Sequence, residues 1–415
     1  MKIRTLAAVL AASVALPAVT LGAAAHATDL EVTHWWTSGG EAAAVAELAK
    51  AFDATGNHWV DGAIAGSGGT ARPIMISRIT GGDPMGATMF NHGRQAEELV
   101  AAGLMRNLDD VAKAENWAAV VNPPSLLEGC MLDGHLYCVP VNIHAWQWLW
   151  LSNKAFETAG VPVPTTWDEF VAAGPALRKA GIQPLAVGQQ GWQEAGAFNL
   201  LLLGIGGKDL YLKVLDEKDA DAAAGPEMAK VWKAADDARK LGKGSNVQDW
   251  NQATNMVITG KAGGQIMGDW AQGEFQVANQ VAGKDYTCLL DLGAADPYIT
   301  SAGDSFYFPK LDDPEKSKAQ EVLAATMLSP ETQVAFNLKK GSMPVRGDID
   351  LAAANDCMKK GLEALKAGNI IKSDDELITQ DTSSQIKDLM TQFFSTDMSV
   401  EDAQKSYAEI IASAD

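Results

Sequence analysis

Two adjacent tryptophans precede a glycine turn and a carboxylate in His34-Trp35-Trp36-Thr37-Ser38-Gly39-Gly40-Glu41. The electron-rich face of an indole attracts the C–H groups of a flat, hydroxylated ring and excludes water from them. Glu41 adds an ionised acceptor, which takes hydrogen bonds from hydroxyls more strongly than a neutral oxygen does. These residue types suit a small polar molecule with one apolar face, such as a sugar. Each also has a structural alternative. Successive strand side chains point to opposite faces, so only one tryptophan would stack directly on a ligand while the other packs beneath the turn, unless the turn lets both reach the cleft or both belong to the core. Ser38-x-x-Glu41 also fits a capping box, which commits the carboxylate to backbone N–H groups.

Other chemistry-bearing residues are sparser. His92, Arg94 and Gln95 follow an apolar stretch, whereas Asp304 and Lys340 are single charges whose role depends on their placement. Trp146, Trp148 and Trp150 alternate, so on a strand they share one face, with core packing expected for most of them. Gly66-Ser67-Gly68-Gly69 lacks the Lys-Ser/Thr of a P-loop and the spacing of a dinucleotide fingerprint. Its glycines still permit close backbone approach along a cleft. There is no Gly-x-Ser-x-Gly, and no histidine follows His144 to complete a triad. Scattered histidines and the lack of Cys-x-x-Cys argue against zinc. Carboxylates are plentiful enough for paired-acid glycoside hydrolysis, but no motif supports it.

The elements that must hold these residues alternate. Leu30–Thr33 reads as a strand, Glu41–Asp53 as a helix, Trp59–Ile64 as a strand, Arg72–Ile79 as a helix, and Ala87–Phe90 as a strand before a helix over Gln95–Ala101. Such β-α-β-α order predicts a parallel sheet with helices on both faces. It also places the tryptophan pair at a strand-to-helix edge, where open α/β sheets bind ligands. Beyond it lie an Asp133-Gly134 hairpin turn, an apolar run over Val139–Leu151 and a Thr166-x-x-Glu169 capping box. Next come a helix from Pro226, a strand over Gly263–Met267, a strand over Asp304–Pro309 that returns to the first lobe, and a helix from Pro330 ending near Gly341. Repeated crossings between lobes would form a hinge.

Lys2 and Arg4, a short apolar run over Leu6–Leu21 and Ala25-His26-Ala27 read as a cleaved export leader of residues 1–27. Its removal leaves 388 residues, more than one core usually serves, and takes the formal charge from −19 to −21. That acidity argues against nucleic acid and anionic membranes as partners. Four cysteines in an exported chain favour disulfides, with three pairings open. Cys130 and Cys138 flank the hairpin, so their bridge is preferred, leaving Cys288 with Cys357.

Taken together, the motifs make the chain similar to the family 1 extracellular solute-binding proteins of ABC importers, especially their glucose-type members. The resemblance covers essentially the whole mature chain. It rests on Trp35-Trp36-Thr37-Ser38-Gly39-Gly40-Glu41, Gly81-Gly82-Asp83-Pro84, Leu132-Asp133-Gly134-His135-Leu136-Tyr137-Cys138-Val139-Pro140, Val163-Pro164-Thr165-Thr166-Trp167-Asp168-Glu169-Phe170, Met267-Gly268-Asp269-Trp270 and Lys340-Gly341-Ser342-Met343-Pro344-Val345-Arg346.

It implies an α/β, two-lobed periplasmic binding protein with a hinge and an inter-lobe cleft. The lobes are expected over 28–142 with 305–345 and over 143–304 with 346–415. It implies a monomer that is not an enzyme and needs no cofactor or metal, captures a monosaccharide, and hands it to membrane permease subunits. Its sugar-binding residues would be Trp35, Trp36, Glu41, His92, Gln147, Trp250, Trp270, Asp304 and Lys340, with Lys339 adjacent to the last. One departure concerns the ligand. Glucose-type members carry a histidine further along, where this chain has Glu376-Leu377-Ile378-Thr379-Gln380-Asp381, so Thr379 or Gln380 would take its place. A related hexose, pentose, polyol, small glycoside or oligosaccharide, or an amino-acid-like solute, is therefore the alternative ligand, and a secreted glycosidase the alternative class.

Overall fold

A computed structural model describes residues 27–414, so the leader reading lies outside the described residues apart from Ala27. The principal strands are β1 (Asp29–His34), β2 (His58–Ala63), β3 (Ala87–Asn91), β4 (Cys138–Pro140), β5 (Trp148–Ser152), β6 (Gln183–Leu185), β7 (Ala262–Ile266), β8 (Tyr286–Leu290) and β9 (Asp304–Tyr307). They form two sheets, in the orders β2-β1-β3-β9-β4 and β8-β5-β7-β6. β1 pairs in parallel with β2 and β3, as the alternating sequence predicts, and β9 then pairs antiparallel with both β3 and β4. The molecule is two-lobed and mixed α/β.

The helices that shape the ligand region are α1 (Gly39–Asp53), α2 (Ser67–Thr80), α3 (Gly191–Leu215), α4 (Trp250–Ile258), α5 (Ala271–Val277), α6 (Pro330–Lys340), α7 (Asp374–Leu377) and α8 (Gln380–Ser395). α1 shows why the first lobe folds as it does. Ala44, Val45, Leu48 and Phe52 recur at helical spacing and are buried, with Leu30 and Val32 of β1 in the same core. Burying a side chain such as Leu48 or Phe52 contributes about 1.5–3 kcal/mol. The N-terminus of α1 approaches α5 so closely that a Cβ on Gly40 would lie 2.4 Å from the Gly273 carbonyl carbon. Only glycine allows that approach, and there the Gly40 N–H donates to Glu274 Oε1 at 2.7 Å.

The apolar run over Val139–Leu151 is not one strand. β4 belongs to the first sheet and β5 to the second, and residues 141–147 cross between them. Two further segments run alongside this crossing. Val141 N–H donates to Asp304 O and His144 N–H to Ala302 O, while Ile143 and Met343 exchange both backbone bonds. Trp148 and Trp150 stack at 5.3 Å inside the core, as expected for most of the alternating set, but Trp146 precedes the strand and escapes that fate.

Cys130 pairs with Cys138 and Cys288 with Cys357. Asp133 and Gly134 take φ of 50° and 79°, the left-handed pair that a two-residue hairpin turn requires. The box at Thr166 forms only in part: Thr166 Oγ1 accepts from Glu169 N–H, but Glu169 Oε2 accepts from Thr165 N–H instead of the cap residue.

Candidate ligand-binding cleft

The carboxyl ends of β1, β2 and β3 open on one cavity of about 610 Å³, within the ~300–1,000 Å³ typical of small-molecule sites. From the first sheet come Trp35 and Trp36 after β1, Gly66–Gly69 at the start of α2 after β2, and Asn91 at the end of β3 with Gln95 beyond it. The opposite wall holds Trp146, Trp192, Trp250 and Trp270. These four indoles meet edge to face or tilted. Trp270 stands 4.8 Å from Trp146, 6.4 Å from Trp192 and 6.5 Å from Trp250. Each ring therefore braces its neighbour while leaving surface to the cavity.

The tryptophan pair divides its roles. Trp36 is 2% exposed and packs against Phe306 and Phe336 beneath the turn. Trp35 is half-buried, lies along the cavity and carries the Arg72 guanidinium 5.8 Å from its ring centre. Burial pulls the Arg72 pKa below its ordinary value, against the opposing pull of Asp375. No carboxylate among the described residues reaches it to form an ion pair.

Glu41 forms the cap that its spacing predicts and an ion pair besides. The Ser38–Glu41 capping box is present, and the other carboxylate oxygen accepts from Lys340 Nζ at 3.0 Å. Lys340 is 2% exposed, and its ammonium sits 5.3 Å from the Trp36 ring and 6.0 Å from that of Trp270. An ammonium has three donors, and Glu41 occupies one of them.

Asp304 starts β9 beside the end of β3, with Asp304 opposite Asn91. Its Oδ2 accepts from Asn142 Nδ2 at 2.9 Å and lies 2.7 Å from His144 Nε2. The other His144 nitrogen lies 2.6 Å from Asp269 Oδ1. Burial alone would lower the His144 pKa, but the two carboxylates outweigh it and push it up to about 9. Burial likewise opposes ionisation of Asp304, yet His144 and Lys340 hold its pKa below the usual carboxylate range. At Asp269 burial wins and the pKa rises.

Two expected residues lie elsewhere. His92 is buried, with Nδ1 3.2 Å from Ser305 Oγ and its ring against the Cys130–Cys138 bridge, and it does not line the cavity. Burial lowers its pKa, so this site suits a neutral ring. Gln147 is also buried, and its Oε1 accepts from the backbone and hydroxyl of Thr300, tying two crossing segments together. Thr379 caps α8, and neither it nor Gln380 lines the cavity. That part of the chain instead presents Asp374 and Asp375. Burial and the neighbouring Asp375 push Asp374 up to about 6. The sequence reading missed His144, Trp192 and Arg72 as cavity residues, and it did not say which of Trp146, Trp148 and Trp150 would leave the core.

Residues 36–333 match the family described as bacterial extracellular solute-binding protein. The chain belongs to this family. A probable sugar-binding periplasmic protein of Rhizobium meliloti (strain 1021) is 38% identical over 350 residues, covering 84% of this chain and 83% of its own. Another so named, from Brucella suis biovar 1 (strain 1330), is 36% identical over 395 residues, 93% of this chain and 92% of its own. Among solved structures, the bacterial solute receptor AcbH, described as exclusive for β-D-galactopyranose, superposes with a TM-score of 0.76 at 22% identity, covering 92% of this chain and 98% of its own. That likeness concerns the fold.

Proposed function

We propose that this protein is the periplasmic binding component of an ABC carbohydrate importer. It holds a monosaccharide or close relative in the cavity between its two lobes, and it delivers the sugar to membrane permease subunits. The observation that carries this reading is the four-tryptophan wall facing a floor of buried charges. Indole faces cover the C–H side of a sugar ring, while charged donors and acceptors address its hydroxyl rim. Trp35, Trp250 and Trp270 act as platforms, Lys340 and Arg72 as donors, and Asp304 Oδ1 and Glu41 as acceptors. Trp36 lines the cavity beneath the turn, while His92 and Gln147 lie outside it and hold the surrounding segments together. The relatives named sugar-binding and periplasmic support the substrate class and the compartment.

The mechanism is a population shift. Ligand touches both lobes only when they are closed, so its extra contacts stabilise that state. The protein acts as a monomer and leaves the sugar unchanged. Asp304 and Glu41 are each engaged by a buried cation, and the Asp304 pKa is held below the usual carboxylate range, which suits an acceptor rather than the general acid a glycosidase needs.

A thermal-shift screen over monosaccharides, polyols and disaccharides tests the proposal. A monosaccharide at a hundredfold excess over its Kd should add about 2.7 kcal/mol of stability, and it should be recovered unmodified. Turnover of chromogenic glycosides, or no shift with any carbohydrate, would overturn it.

A further inference from the structure

Asp304 presents its two oxygens differently. The protein uses Oδ2, through Asn142 and His144, while no described donor reaches Oδ1, and Asp304 lines the cavity. Its backbone is pinned as well, since Asp304 N–H donates to Asn142 Oδ1 at 2.7 Å. His144 lies in the crossing between β4 and β5, so its partners come from different sheets. Asp304 opens β9 of the first sheet, and Asp269 follows β7 of the second. The Asp269 carboxylate also accepts the N–H of Ala145, the residue after His144.

We propose that His144 is a positioning residue of the ligand site: as an imidazolium it grips Asp304 and Asp269 at once, fixing the acceptor that faces ligand and tying its direction to the relative placement of the lobes. This rests on the reading that the cavity takes a sugar.

The chemistry follows from the donor count. A neutral imidazole donates from one nitrogen only, whereas both nitrogens here lie within 2.7 Å of a carboxylate oxygen. Only the protonated ring donates to both. The charged groups around it are Asp304 from β9, Asp269 after β7 and Lys340 at the end of α6, the last already paired with Glu41 of α1. Asn142 and the Trp270 ring, at 4.9 Å, complete its surroundings. Three carboxylates thus share two cations, so removing the imidazolium charge leaves Asp304 and Asp269 close together with Lys340 as the remaining cation. The raised His144 pKa agrees with this geometry.

The sign of the pH dependence is set. The folded pKa of about 9 lies above the ordinary 6.5, so the brace contributes its full stability below pH 6.5 and loses it as pH rises through 9. Sugar affinity should hold steady from pH 6.5 to 8 and fall above 9.

Two measurements test this together. In the ligand-free protein, the His144 imidazole is titrated by NMR. In parallel, calorimetry with D-glucose, D-galactose and D-xylose compares wild type with His144→Gln between pH 6.5 and 10. The expected result is an imidazole that titrates near pH 9, about tenfold weaker sugar binding in the variant, and no decline in the variant's affinity above pH 9 beyond that shared with wild type. Sugar binding with an imidazole that titrates near 6.5, or with equal affinities and pH profiles in the two proteins, would overturn the inference and leave the sugar reading standing. No heat with any of the three sugars and no thermal shift with any carbohydrate of the wider screen, together with titration near pH 9, would overturn both. Should His144→Gln lose its fold, the wild-type titration and the wild-type pH profile still decide the matter.

Discussion

Lys340→Met should lower the free energy of unfolding by about 3–5 kcal/mol and abolish ligand capture. The side chain of Lys340 is 2% exposed and that of its partner Glu41 9%. Methionine fills a similar volume without charge, so the substitution strands a buried carboxylate. Unmaking one half of a buried pair costs far more than the intact pair contributes, because water cannot reach the group left behind. Asp269 and Asp304 also feel the Lys340 charge, so its loss unbalances the whole floor of the cavity. The cause can be separated from lost packing by adding Glu41→Gln. Glutamine keeps an acceptor for the capping box and carries no charge, so the double variant should regain most of the stability and still fail to bind sugar. Urea midpoints read the first effect and calorimetry the second. An unchanged midpoint for Lys340→Met would mean that the pair is not formed in solution.

Asp304→Asn should weaken sugar binding by about 2–3 kcal/mol, roughly 30- to 150-fold, with a smaller effect on stability. The asparagine keeps the shape of the side chain and one oxygen. It loses the charge that strengthens a hydrogen bond from a hydroxyl, and its amide N–H₂ must face either His144 or the ligand. His144 then keeps only Asp269 as a charged partner, so its pKa should fall. A dissociation constant within threefold of wild type would remove Asp304 from the ligand site.

Local rules carried far in this chain where the signal was local. Ser38 and Glu41 are three residues apart, and their box forms as the spacing predicts. Asp133-Gly134 makes the hairpin turn that brings Cys130 beside Cys138. The strand-end position of Trp35 places it on the cavity because the parallel pairing of β1 with β2 and β3 follows from alternating strands and helices. What failed was long-range. Apolar continuity over Val139–Leu151 carries no mark of where the backbone leaves one sheet for the other, since both strands are buried and equally apolar. That single ambiguity hid Trp146 and His144, which the crossing turns toward the cavity. Trp192 lies at the N-terminus of α3, where nothing in its neighbours distinguishes a cavity wall from a core. His92 shows the converse error. It follows β3 as the resemblance implies, yet Gly129 and the disulfide pack against its ring and it turns inward. Near Thr379 and Gln380, attention to a missing histidine passed over the neighbouring carboxylates of Asp374 and Asp375, which line the cavity instead.

On the proposed reading a sugar ring lies between the two tryptophan-bearing walls, above the charged floor. A crystal structure grown with the sugar that gives the largest thermal shift will show whether it does. One sugar is expected, with its C–H face against Trp270 or Trp35, a hydroxyl on Asp304 Oδ1 and another on Lys340 Nζ. Sugar bound outside this cavity, or a cavity still without sugar at saturating concentration, would contradict it.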